Sequence, residues 1–160
     1  MRSIASGLLA IFLAFGVSAG AALAAGGGGS QGNSANKPEN NDLTRAASLV
    51  EAGNYDQAIP LLEKVLATDP QSADAYNYMG YSHRKLGRIE QAEGFYRKAL
   101  AIDPEHLGAN EYLGELYLET GHLAKAEERL DVLDGACFFG CDEYYELRDA
   151  IAAYKAKQSS

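Results

Sequence analysis

Among its 160 residues the chain has no tryptophan, two cysteines, four prolines, and 14 basic residues against 22 acidic ones. Each shortage excludes something. Four prolines scattered among many charges rule out a collagen-like or proline-rich chain. Two cysteines are too few for a disulfide-dense mini-protein, yet enough for one staple or one reactive pair. A formal net charge of −8 repels a phosphate backbone, so no nucleic-acid ligand is expected. Hydrophobic residues make up 47% of the chain, which suffices for one compact domain or a short repeat array.

Catalytic constellations are missing as well. Gly26 to Gly29 follow no strand and open no helix, so they form no phosphate loop. There is no His-Glu-x-x-His, and no serine stands in a nucleophile elbow. Carboxylates such as Glu127, Glu128 and Asp131 read as a solvated helix face rather than as a catalytic pair. His83 falls on a packing stripe and reads as a core residue rather than a ligand. The expectation is a chain that is not an enzyme and carries no cofactor.

The first two dozen residues carry an address. Met1-Arg2-Ser3 is a minimal basic start, Ile4 to Val17 is nearly all apolar, and Ala22-Leu23-Ala24 fits the small-x-small rule for cleavage. A signal peptide over 1–24, cut before Ala25, is expected. Glycine and alanine dominate its last third and no basic stop-transfer residues follow, which argues against a membrane anchor. No membrane span is expected after cleavage. Residues 25–40 hold no apolar side chain larger than alanine and read as a flexible Gly/Ser/Asn linker.

From there the sequence repeats with a period of about 34 residues, the range of a solenoid. Gly53, Gly87 and Gly121 mark it, as do Ala58, Ala92 and Ala126, and the small set Ala46, Gly80 and Gly114. Asp69-Pro70 returns as Asp103-Pro104. The units are 39–72, 73–106 and 107–140. Each reads as two helices: in the second unit, Tyr76, Met79, Gly80 and His83 form one stripe, and Ala92, Phe95, Tyr96, Ala99 and Leu100 the next. Gly87 breaks the first helix and Pro104 ends the second. Gly80 and Gly114 are expected where the two backbones of a pair approach closely. Asp142 to Lys157 reads as a further amphipathic helix, with Tyr144, Leu147, Ile151 and Tyr154 on one side.

These residues resemble a tetratricopeptide repeat. The second unit reads Tyr76-x2-Met79-Gly80-x2-His83, Ala92-x3-Tyr96, Pro104, and the third Asn110-x2-Leu113-Gly114-x2-Tyr117, Ala126-x3-Leu130. The third lacks the closing proline, and the first has Asp42 and Arg45 where large apolar residues are usual. The resemblance implies an all-α fold: a right-handed α-solenoid of three hairpins, with 41–157 as the repeat domain and 142–157 as its capping helix. Small exported chains of this kind look bacterial, so the periplasm is the expected location, with secretion as the variant.

The resemblance also implies a function, the binding of a peptide or protein segment in a concave groove lined by the first helix of each pair. By register, the lining is Leu43, Ala47 and Val50, then Asn77, Tyr81, Arg84 and Lys85, then Glu111, Glu115 and Leu118, with Tyr145 and Asp149 on the closing helix. Glu111, Glu115 and Glu119 make part of it acidic, which suits a segment bearing Lys or Arg. Leu43 and Ala47 stand where one subset of the family grips a terminal carboxylate with lysine and asparagine, so that clamp is not expected.

Cys137 and Cys141 sit where the pattern fails, Cys137 taking the place of Asp69 and Asp103. In an oxidising compartment the pair is expected to close a five-residue ring, stabilising by about 2 kcal/mol and fixing the closing helix. Thiol-disulfide chemistry, with Cys141 at a helix N-terminus, or copper(I) handling by the two sulfurs stays open as the alternative.

Overall fold

The structure, a computed structural model, describes residues 41–159. The expected signal peptide and linker lie outside the described residues. Among the described residues seven helices follow one another: α1 (Asn41–Glu51), α2 (Tyr55–Thr68), α3 (Ala73–Lys85), α4 (Ile89–Ile102), α5 (Leu107–Glu119), α6 (Leu123–Ala136) and α7 (Asp142–Gln158). No strand occurs among the described residues. The fold is all-α.

Turn chemistry sets the hairpins. Gly53, Gly87 and Gly121 adopt φ of 75°, 73° and 79°, a left-handed conformation in which glycine meets no Cβ clash. At Gly87 its N–H donates to the Arg84 carbonyl and the Arg88 N–H to the His83 carbonyl, both at 2.9 Å. That paired return closes α3 and turns the chain into α4. Between hairpins, Asp69 and Asp103 each accept the N–H two residues on, from Gln71 and Glu105, at 3.2 Å. These Asx turns explain the recurring Asp-Pro. Cys137 offers no such acceptor, and there a disulfide to Cys141 spans the turn.

Helix starts are tied across repeats. Ser72 Oγ accepts the Ala75 N–H and caps α3. His106 does the same for α5, Nδ1 accepting from the Ala109 N–H at 3.1 Å. Nε2 must then carry the proton, and it lies 3.1 Å from Asp74 Oδ1 in the first turn of α3. Asn110 is fully buried and fully used: Nδ2 donates to the carbonyls of Pro104 and His106, and Oδ1 accepts from Arg129 on α6.

The hairpins stack so that α1, α3, α5 and α7 form a continuous row, each against the next. The second helices α2, α4 and α6 stand further apart, with no Cα of one within 8 Å of another. The row of first helices is therefore the inner side of the curve. The core divides in two: Ala46, Val50, Ala58, Leu62, Val65, Ala75 and Met79 in one cluster, and residues of α4 to α7 in the other. Tyr81 packs against both.

Gly80 and Gly114 are required, though for a reason other than the expected backbone approach. A Cβ on Gly80 would stand 2.6 Å from the Tyr96 ring, and one on Gly114 2.5 Å from Leu147 Cδ2. Side chains fill the space that each glycine leaves, the second of them from α7. Leu147 is fully buried, so the closing helix covers the third hairpin as an integral part of the core.

Candidate functional site

An aromatic ladder runs from α2 through α3 to α5. Tyr55, at the start of α2, meets Tyr81 edge-on with ring centroids 6.1 Å apart, and Tyr81 meets Tyr112 at 4.8 Å. Tyr112 in turn lies 6.3 Å from Tyr96. Lys85 Nζ sits 5.0 Å over the Tyr81 ring, an attraction of cation to ring face. Tyr55, Tyr81 and Tyr112 are half-buried, so each keeps an edge toward solvent.

Beside the ladder lies a clasp. The Arg84 side chain, only 7% exposed, puts Nη1 2.6 Å from Glu115 Oε2 and Nη2 2.6 Å from Glu119 Oε1. Nε donates to the same Glu119 oxygen at 3.1 Å. Burial disfavours the cation, but the bonds to Glu119 and Glu115 outweigh it and hold the Arg84 pKa above its ordinary value. Arg84 thereby neutralises much of the acidic stretch expected on α5.

Glu111 is different. It is 3% exposed and has no described cation in ion-pair reach. Burial pushes its carboxyl up to about 9, helped by a hydrogen bond with Glu146 and by the charges of Glu115, Glu146 and Glu143. That upward shift favours the neutral carboxylic acid over the carboxylate. Burial also pushes up the phenols of Tyr96 and Tyr112.

The structure joins Arg84 to Glu115 and sets Tyr81 against Tyr112, whereas Asn77 and Glu111, expected to line the groove, are buried at 6% and 3% exposure. Lys85 is exposed at the end of α3, and Leu43 and Ala47 are half-buried on α1. Val50 and Leu118 turn into the two core clusters instead of lining an open surface. On α7, Tyr145 is exposed under the Arg148 guanidinium, and Asp149 Oδ1 accepts from Arg148 at 2.8 Å. Sequence reasoning passed over Tyr112 and Glu146. The signal was there, since Tyr78, Tyr112 and Glu146 hold one phase of the repeat, a single residue after Asn77, Glu111 and Tyr145.

Two clefts open on the other side, between the second helices. One of about 500 Å³ is lined by Ile59, Glu63, Met79, His83, Arg88, Gln91, Gly94, Phe95 and Lys98. The other, about 440 Å³, uses the equivalent places one repeat on, among them Arg97, Leu113, Tyr117 and Arg129. In the first, His83 Nδ1 is 3.1 Å from Gln91 Oε1 and its ring is 5.1 Å from Phe95. Burial and the charge of Arg88 lower the His83 pKa, against the weaker pull of Gln91 and Glu63. His83 is a buried packing residue.

Cys137 and Cys141 are disulfide-bonded with Cα atoms 5.7 Å apart, and no free cysteine remains among the described residues. Their loop carries Phe138 and Phe139, 88% and 95% exposed. No cluster of three His, Cys, Asp or Glu suited to a metal occurs among the described residues.

Two sequence models described as tetratricopeptide repeat match the chain, at residues 43–106 and 83–151. The chain belongs to the tetratricopeptide repeat family. Among solved structures it is similar to the type III secretion chaperone SycD of Yersinia enterocolitica in complex with a YopD peptide. That likeness has 19% identity and a TM-score of 0.62 over 73% of this chain and 92% of that one. The Sgt2 repeat domain of Aspergillus fumigatus gives 20% and 0.65, over 76% and 80%. The first repeat domain of Spaghetti (RPAP3), bound to an HSP90 peptide, gives 16% and 0.65, over 74% and 91%. At these identities the likeness is one of fold. No curated protein matches.

Proposed function

We propose that this tetratricopeptide repeat chain is an exported, non-enzymatic adaptor that holds a segment of another protein along its inner row of helices. The observation that carries the reading is the ladder of half-buried tyrosines crossing from α2 through α3 to α5. Tyrosine offers a large contact area, a polar tip and little rotamer freedom to lose, which suits an adaptable docking surface. Structures of similar fold hold peptides, YopD in SycD and an HSP90 peptide in Spaghetti (RPAP3), which supports the same use here.

The layout of charge favours a basic segment over an acidic one. Lys85 stands over Tyr81 and Arg84 is consumed by its own carboxylates, so few free cations face the groove. Glu143 and Glu146 extend the acidic character onto α7. Export to the periplasm rests on the signal-peptide pattern of residues 1–24. With both sulfurs in one short ring, the cysteines act in this reading as a staple.

The test is affinity capture from the cell envelope with the full chain, followed by mass spectrometry. A folded Tyr81→Ala, Glu115→Lys double variant, checked by circular dichroism, serves as the comparison. The partner should be retained saturably by the native chain and lost with the variant. Equal retention by both would reject the groove.

A further inference from the structure

The two outer clefts use the same places one repeat apart, yet their chemistry differs. Glu63, Gln91 and Phe95 in the first become Arg97, Lys125 and Arg129 in the second, one period later. Leu100, Leu113 and Tyr117 line the same cleft and give it an apolar floor. Neither Lys125 nor Arg129 forms an ion pair among the described residues. Lys125 Nζ stands 5.1 Å over the Tyr117 ring, and Arg129 Nη1 donates to Asn110 Oδ1 at 3.2 Å. Arg97 is held only by Glu93 one turn back on α4, and its side chain is 61% exposed, so that pair is weak. With Glu128, the lining holds three cations and one carboxylate, a local reversal in a chain of net charge −8.

The complementary surface is the turn between α6 and α7. Phe138 and Phe139 are almost wholly exposed and meet edge to face, with ring centroids 5.2 Å apart. Behind them the Cys137–Cys141 bond closes the turn, and the Gly140 N–H donates to the Cys137 carbonyl at 2.8 Å. Both rings are therefore displayed on a tip that is already ordered, which lowers the entropy lost on docking. Residues 130–147 carry Asp131, Asp134, Asp142, Glu143 and Glu146 and no basic residue. The tip joins aromatic surface to acid, and the cleft between α4 and α6 joins an apolar floor to cations. Since both rings stand in solvent, the tip does not fill the cleft of its own molecule.

We propose that the Phe138–Phe139 tip of one copy docks in the α4–α6 cleft of a second copy. A phenylalanine ring lies on Leu113 and Tyr117, and Asp134 and Asp142 face Arg97, Lys125 and Arg129. Apolar contact supplies the attraction and the charges select the partner surface. Tip and cleft are different surfaces, so each docked pair keeps one of each free, and association continues head to tail unless it closes. One aromatic tip is a small contact of the transient class, so the copies exchange rapidly. The inner row stays open, and the proposal does not depend on the groove reading.

Sedimentation equilibrium of the full chain, from about 10 µM to about 1 mM in the range of weak association, is the test. The tip variant is Phe138→Ser with Phe139→Ser, and the cleft variant is Arg97→Glu with Lys125→Glu, all at exposed positions. Lys98→Glu, in the first cleft, is the control. Circular dichroism checks that each variant folds. The mean mass of the native chain and of Lys98→Glu should rise with concentration, while the tip and cleft variants each stay monomeric. An equimolar mixture of those two should recover a one-to-one pair, because one supplies the tip and the other the cleft. A native chain monomeric throughout would overturn the proposal, as would either variant associating as the native chain does. A mixture that stays monomeric while the native chain associates would equally overturn the pairing of tip with cleft. A monomeric native chain that floats with phosphatidylcholine vesicles, when the tip variant does not, would assign the tip to a membrane and overturn it as well.

Discussion

Arg84 on α3 and Glu115 on α5 meet across the joint between the second and third hairpins, Nη1 to Oε2 at 2.6 Å. The arginine is almost fully buried, while Glu119, which it also holds, is about half exposed. The two bonds therefore differ in worth. Arg84→Gln leaves both acids without their cation and is expected to cost about 2–4 kcal/mol in urea denaturation. Glu119→Gln should cost less than about 1 kcal/mol. Equal costs would place the strength of the clasp in its exposed half.

The glycines separate by what a methyl would meet. Gly80→Ala and Gly114→Ala press on Tyr96 and Leu147, and each should destabilise by about 1–3 kcal/mol. Gly94, in the middle of α4, has open space around it, so Gly94→Ala should stabilise by about 0.5–1 kcal/mol. Melting temperatures in opposite directions are the expected readout.

Acid at position 111 makes stability depend on pH. The folded carboxyl is held up to about 9, against an ordinary value of 4.5. Its favourable contribution is complete below about pH 4.5 and is lost as pH rises toward 9, since the unfolded chain ionises first. The free energy of unfolding should fall across that window, and the denaturation midpoint with it. Glu111→Gln should flatten the slope. An unchanged slope would mean that another group sets it.

Reducing the Cys137–Cys141 ring should cost about 2 kcal/mol by the chain-entropy account. Because Leu147 still covers Gly114, α7 should stay docked, and partner binding by a Cys137→Ser, Cys141→Ser variant should equal that of the native chain. Loss of binding with an intact melt would instead give the sulfurs a direct part. Phe138→Ser with Phe139→Ser should leave the melting temperature unchanged, since both rings stand in solvent.

The hairpins were legible because the same small residues return at one phase in Ala46, Gly80 and Gly114, and because Asp-Pro and Gly recur at the turns. What filled the space beside Gly80 and Gly114 was not. That space depends on which side chain of a neighbouring helix arrives there, and for Gly114 the occupant comes from α7. Register placed Val50, Arg84 and Leu118 at one equivalent lining position, yet two of them enter the core and the third enters an ion-pair clasp. Residue type decides among those outcomes only once the helices are stacked. The upward shift of the Glu111 carboxyl was equally hidden, because it follows from burial and from the charges on α7. Tyr112 was within reach of the period, as the counterpart of Tyr78.

Whether a partner lies on the inner row or in the outer clefts is the central question, and site-specific photo-crosslinking answers it directly. A benzoylphenylalanine would replace Lys85 or Tyr145 on the inner side, or Lys98 at the rim of the larger outer cleft, with the captured partner present. Crosslinks from positions 85 and 145, and none from 98, are the predicted result. Crosslinks from 98 with neither inner position reacting would contradict a segment held in the groove.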